Sequence, residues 1–172
     1  MDLYEVVRTR RSVRAYKSDP IDDETLNRVL EAVRIAPSGS NRQPWKFVLV
    51  KDEELKRRLA AACNKQAFIA EAPLAAVACG FKIPIDRGGY MGSMGMLVDV
   101  SIAFTHLILA ARAEGLGTCW IGAFDNNEVK KLLKIPEDVN VVAVSPLGYP
   151  KQGFGNPGAR KQMSEIVSVD RF

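Results

Sequence analysis

The chain has few of the residues from which metal centres and disulfide frameworks are built. Its 172 residues include one histidine, His106, and three cysteines, Cys63, Cys79 and Cys119. The cysteines are odd in number, far apart and never spaced C-x-x-C. That argues against a disulfide scaffold and for a reducing compartment, the cytoplasm. With a single histidine a zinc centre is not expected. No internal repeat or low-complexity segment is present. The N-terminus has no apolar run of the secretory kind, and Asp2 and Glu5 stand where one would lie. The net charge is only +4, too weak on its own to imply nucleic acid, and aromatic residues are not interleaved with the basic ones as in an RNA-stacking surface. One stretch, Met94 to Ala111, is long and apolar enough to be weighed as a membrane span. It contains Asp99 and His106 and runs into Arg112 and Glu114, so a central helix of a soluble protein is the expectation. Apolar residues make up 47% of the chain, enough for the core of one domain spanning residues 1–172. No membrane and no nucleic-acid partner is expected.

Against these absences, helices and strands alternate. Leu26, Val29, Leu30 and Val33 recur at helical spacing within Asp22 to Ile35, and Pro37-Ser38-Gly39 stops that helix. Trp45 to Val50 reads as a strand and Glu53 to Ala62 as a helix. Leu74 to Cys79 is a strand of small residues, which implies close packing against it. Ser93 to Glu114 is a helix apolar almost all round. Asn126 to Leu133 is a short helix with Asp125 as its cap, and Val139 to Val144 a fully apolar strand. Ile166 to Val169 reads as one more strand. The glycine-rich stretch Arg87 to Gly95 reads as a mobile loop, and so as the available lid. Gly153 to Gly158 literally matches G-x-G-x-x-G. A dinucleotide fingerprint needs a helix opening there and a second strand beyond, and only fourteen residues remain, so a flexible C-terminal turn is expected instead.

Four stretches carry chemistry. In Arg10-Arg11-Ser12-Val13-Arg14, an extended backbone puts Arg10, Ser12 and Arg14 on one face. Planar guanidinium forks plus a hydroxyl suit a compact dianion such as a phosphate; a solvated basic arm is the alternative. In Ala36 to Trp45, Ser38, Ser40, Asn41 and Gln43 supply short donors and acceptors that could line a polar cofactor chain, or merely follow a capped helix. In Gly115 to Phe124, Gly122 and Ala123 would let backbone approach a flat ring, unless they only connect helix to strand. After Gly148-Tyr149-Pro150, Arg160 and Lys161 could join the N-terminal arginines, or belong to a solvated tail.

In this order the motifs R-R-S-x-R-x-Y, A-P-S-x-x-N-x-Q-P-W, the Asp99 to Trp120 helix ending in G-L-G-T-C-W, and G-Y-P resemble the nitroreductase family of flavin enzymes, from about Leu3 to about Val167. The resemblance implies an α+β fold: a three-layer α/β/α sandwich with a mostly antiparallel central sheet, as a homodimer with exchanged termini and FMN at the interface. It implies that Arg10, Arg11, Ser12 and Arg14 lie near the FMN phosphate and the pyrimidine end of the ring, joined by Arg160 and Lys161. Pro37, Ser38 and Ser40 would come from the partner chain, Gln66 would reach the ribityl chain or ring edge, and Ile121, Gly122 and Ala123 would present backbone to the ring. Many larger members carry an acidic residue where Gly122 stands. The implied activity is a ping-pong reduction of nitroaromatics, quinones or similar flat acceptors by NADH or NADPH, with no dedicated catalytic side chain. His106 and Cys119 are read as structural. A basic nucleic-acid-binding domain and a flavin-holding protein without turnover are the alternatives.

Overall fold

The computed structural model describes residues 1–82, 89–156 and 158–172. Six helices and four strands run in the order α1 (Leu3–Thr9), α2 (Asp23–Arg34), β1 (Trp45–Val50), α3 (Glu53–Ala62), α4 (Phe68–Glu71), β2 (Leu74–Phe81), α5 (Gly89–Ala113), β3 (Gly117–Thr118), α6 (Asn126–Leu133) and β4 (Val139–Gly148). Aspartate opens four of these helices. Asp2, Asp22, Asp52 and Asp125 each accept from the backbone N–H three residues on, at 2.9, 2.8, 2.8 and 3.0 Å. Each carboxylate satisfies an otherwise orphaned donor and sits at the positive end of the helix dipole.

The strands form one sheet in the order β1-β2-β4-β3, every pair antiparallel. Side chains of β2 alternate between two cores, as a buried strand requires. Leu74, Ala76 and Ala78 face α2 and α5, with Val29, Val100, Phe104 and Leu107. Ala75, Val77 and Cys79 face α3, α4 and α6, with Leu59, Ile69 and Val129. The expected α/β/α layering is therefore present in a single chain. The small side chains of β2 are what let α5 lie close across the sheet.

A third, smaller cluster pins the N-terminal segment. Ser12 bridges Thr118 in parallel, and the Val13 N–H donates to the Thr118 carbonyl at 2.8 Å. Lys17 N–H donates to Tyr149 O at 2.9 Å, and Lys151 N–H to Ala15 O at 3.0 Å. Residues 12–17 thus lie along β3 and the end of β4. Val13 and Tyr16 turn inward with Ala72.

Several boundaries differ from the sequence expectations. β2 continues to Phe81 and β4 to Gly148. Ile166 to Val169 is not a strand: a 3-10 turn at Met163–Glu165 precedes it, and all four residues are exposed. Among the described residues its apolar side chains meet no sheet edge. The expected loop Arg87 to Gly95 is also corrected, because α5 already begins at Gly89; Arg87 and Gly88 lie outside the described residues. Val100, Ala103, Phe104 and Leu107 on α5 are fully buried, so this long apolar stretch supplies core packing, while Met94, Leu97 and Val98 near its start are exposed.

Candidate cofactor site

The arginine strand is held from behind by Val13, so its neighbours in sequence look outward. Ser12 and Arg14 are exposed on either side of buried Val13, while Arg10, at the end of α1, is half-buried like Arg11. Burial disfavours charge on the Arg10 guanidinium, and Arg11 and Arg160 push the same way, so its pKa lies below the usual arginine value. Cations from both ends of the chain therefore share one field. Arginine stays protonated regardless, so this cluster repels itself until an anion enters it. Arg11 behaves differently from its neighbours. Its Nη1 donates to the Arg8 carbonyl at 2.8 Å, and its Nε–H is buried without a hydrogen-bond partner. An orphaned donor of that kind marks a place where a polar acceptor fits.

Beneath the arginines runs the segment that leaves α5 and β3. Close approach here depends on Gly117: a Cβ at that position would lie 2.8 Å from Val13 Cγ2 and 2.9 Å from Val13 Cβ. The Cys119 thiol is buried, and burial raises its pKa, while Arg14, a hydrogen bond to Ser12 and Arg10 act in the opposite direction. The Cys119 N–H donates to Ser145 Oγ at 3.0 Å, a departure from regular pairing that ends β3. Pairing resumes at Ile121, which exchanges hydrogen bonds of 2.9 and 3.0 Å with Val144. The chain then surfaces, with Gly122 and Ala123 exposed. A Cβ on Gly122 would meet nothing within 4 Å. The backbone of Gly122 and Ala123 thus opens onto free space just beyond the segment that touches Ser12 through Cys119, whereas Ile121 is buried with its N–H and C=O both committed to Val144.

The loop after α2 belongs to a different neighbourhood. Ser40, Asn41 and Gln43 all adopt left-handed backbone, with φ of 56, 54 and 51°. Ser38 Oγ accepts from the Gln43 N–H at 2.9 Å and so folds the loop on itself. The loop is moored by Asp99, whose Oδ1 accepts from Gly39 N–H at 3.0 Å. Pro37 and Ser40 are exposed and Ser38 half-buried. Asp99 and Arg112 are thirteen residues apart on α5, which places them about 20 Å apart along the helix. Arg112 lies against the tail that packs on Val13. One chain therefore does not bring the Ser38 loop to the arginine strand.

Gln66 is half-buried, and its Nε2 donates to Cys63 O at 2.9 Å, so in this arrangement it closes the end of α3. Arg160 and Lys161 are exposed, and Arg160 donates to its own tail at Ala159 O (2.9 Å). His106 Nδ1 lies 3.0 Å from Ala32 O, a contact that ties α5 to α2.

Two features of the site escape sequence reasoning. Asp99 figured as an argument against burial in lipid and as the start of a motif, not as a mooring, yet a carboxylate in the middle of an apolar helix needs a donor, and that demand was the available signal. The second is the turn at Gly153 to Gly155. It is not loose: Phe154 packs against Val13, Tyr16 and Ala72, and the Arg112 guanidinium carbon stands 3.9 Å above its ring centre.

The residues present fit a phosphorylated, flat cofactor. A self-repelling, partly desolvated arginine cluster suits a dianion. Open backbone at Gly122 suits a ring. Among the described residues no group of three or more histidine, cysteine, aspartate or glutamate side chains could hold a metal ion. Comparison with known proteins agrees in direction. The Nitroreductase family model matches residues 7–83 and 84–149. A solved nitroreductase family protein of Clostridium novyi NT is 36% identical, with a TM-score of 0.81, over 88% of this chain and 86% of that one. The FMN reductase [NAD(P)H] of Bacillus subtilis (strain 168) is 32% identical, covering 81% of this chain and 62% of its own length. The NADPH:FMN oxidoreductase of Vibrio harveyi, solved with NAD+, is 26% identical with a TM-score of 0.89, over 99% of this chain and 77% of that one.

Proposed function

Because the chain belongs to the nitroreductase family, we propose that it is a homodimeric FMN enzyme reducing nitroaromatics, quinones or similar flat acceptors. It is an NAD(P)H-dependent oxidoreductase with FMN as cofactor. When bound, FMN supplies two-electron carriage from a reduced nicotinamide to an acceptor, so the protein needs no nucleophile or general acid of its own. Donor and acceptor then use one place in turn, a ping-pong order.

The chain's residues are assigned as follows. Arg10, Arg14 and Arg160 balance the phosphate, with Arg11 and Lys161 adding to the same positive field. Ser12 donates its hydroxyl to a phosphate oxygen. Gly122 and Ala123 offer backbone to the ring, bare Gly122 leaves room beside it, and Ile121, bonded on both sides to Val144, anchors them instead of donating itself. Pro37, Ser38 and Ser40 reach the ring from a second copy, a reading supported by the separation of their mooring at Asp99 from the arginine strand. Gln66 lines the ribityl side once its bond to Cys63 is exchanged. The exposed apolar side of α5, including Met94, Leu97 and Val98, is the face that the second copy covers.

The observation that supports this reading is the half-buried Arg10, whose charge is disfavoured by burial and by the like charges of Arg11 and Arg160, beside exposed backbone at Gly122 and Ala123. The test is spectroscopic. Purified protein should be yellow, bleach under anaerobic NADH or NADPH, and recover its colour when a quinone or nitroaromatic is added. Colourless protein that FMN cannot reconstitute overturns the proposal. Colour that neither nicotinamide bleaches leaves a flavin holder without turnover.

A further inference from the structure

Beyond Lys151, whose N–H bonds Ala15 O, the described residues of the tail that carries Arg160 have one partly buried foothold. Of the described residues after Pro150, all are exposed except Phe154. That half-buried ring packs against the cluster of Val13, Tyr16 and Ala72, and so against the inward side of the segment that carries the N-terminal arginines. Arg112, near the C-terminal end of α5, closes over it at 3.9 Å. The turn is shaped for this insertion: Gly153 and Gly155, on either side of Phe154, have φ of +74 and +64°, values that let the backbone dive in and come out again. Six residues further on, Arg160 acts on Arg10. Arg112 gains little else from its place, since its Nε–H is buried with no hydrogen-bond partner. A guanidinium kept there without that bond is held by the ring face, an attraction between cation and aromatic quadrupole.

We propose that Arg112 and Phe154 form a clamp that positions Arg160 on the cofactor phosphate, so that a cation–ring stack outside the site sets the strength of FMN binding. The inference rests on the assignment of Arg160 to the phosphate. Arg112 and Phe154 are positioning residues and touch no reacting atom. Without the clamp the tail has no buried contact, and Arg160 must be localised from a mobile segment, an entropic cost that weakens its bond.

The experiment titrates the flavin-stripped full-length chain with FMN and, separately, with riboflavin, which has the same ring but no phosphate. Arg160→Ala should weaken FMN about ten- to a hundred-fold, the range for one hydrogen bond to a charged group, and leave riboflavin unchanged. Phe154→Ala and Arg112→Gln should each reproduce part of that loss for FMN only. Neither should add to it in the Arg160→Ala background, and Phe154→Tyr, which keeps the ring face, should restore binding. Normal FMN affinity in Phe154→Ala beside a weakened Arg160→Ala overturns the clamp and leaves the phosphate assignment standing. Equal loss of both flavins, or a loss additive with Arg160→Ala, also overturns it, because that is general loosening of the fold. Normal FMN affinity in Arg160→Ala removes the assignment itself, and the clamp with it.

Discussion

Substituting Gly117 by alanine tests how tightly the site strand is held. Gly117 has ordinary φ, so alanine costs nothing in backbone conformation; the cost is steric. Its new methyl would stand 2.8, 2.9 and 3.0 Å from Val13 Cγ2, Cβ and Cγ1. Ordinary contact begins near 3.4 Å, so Val13 must retreat by 3.4 − 2.8, or about 0.6 Å. It cannot do so by rotation alone, because a β-branched side chain places a methyl or Cβ against Gly117 in every rotamer. The backbone must move, and it is tied by the 2.8 Å bond from Val13 N–H to Thr118 O. Overpacking of this kind costs about 1–3 kcal/mol, or roughly 2–12 °C of melting temperature for a chain of this size. Because the displaced strand carries Arg10, Ser12 and Arg14, FMN binding should weaken about ten-fold, as on losing one hydrogen bond to a charged group. Urea melts followed by circular dichroism should show a lower midpoint at unchanged slope, and FMN titration a higher Kd. Gly122→Ala is the stability control, since its methyl meets nothing within 4 Å. A Gly117→Ala protein with wild-type midpoint and FMN affinity would refute the claim that Val13 fixes the strand.

Arg10→Ala should reduce FMN affinity by about 1.5–3 kcal/mol, whereas Arg8→Ala, whose side chain is exposed on α1, should leave it within experimental error; equal flavin content in the two variants contradicts the alternation argument. Asp99→Ala removes the acceptor for Gly39 N–H and should cost about 1–3 kcal/mol in a denaturant melt, with Asp99→Asn, which keeps a carbonyl acceptor, closer to wild type. Burial raises the Cys63 thiol from 9.0 to about 12 and that of Cys79 to about 11. Their folded pKa values exceed the unfolded ones, so the stabilisation is complete below about pH 9 and is lost as pH rises toward 11 and 12. Melting temperature should therefore start to fall above pH 9, and less steeply in a Cys63→Ala, Cys79→Ala double variant than in wild type.

Much of this fold is legible in the sequence because the informative signals are local. An aspartate three residues before a helix's first satisfied N–H, as at Asp22 or Asp125, needs no tertiary knowledge. Nor does the small-residue run of β2, or the all-round apolar character of α5. What stayed hidden depends on partners far away in the chain. Ile166 to Val169 has the composition of a strand, but strand formation also needs an edge to pair with, and the tail meets none among the described residues. The glycines from Gly88 to Gly95 suggested a loop, whereas from Gly89 onward the long apolar helix extends through them, tertiary packing outweighing propensity. The exposure of Ser12 and Arg14 on either side of buried Val13 could be read from period two. Arg11 folding back onto Arg8, Gly39 finding Asp99 sixty residues away, and Phe154 sliding beneath Arg112 could not.

The pairing of Ser12 with Thr118 also bears on solubility. β3 would otherwise be the last strand of the sheet, its main-chain donors and acceptors bare on one side. The arginine segment seals that border with a strand whose charges discourage lateral stacking of copies. A chain shortened past Tyr16 would thus lose more than cations: it would expose a raw selvage ready to recruit neighbours, and its characteristic failure would be precipitation.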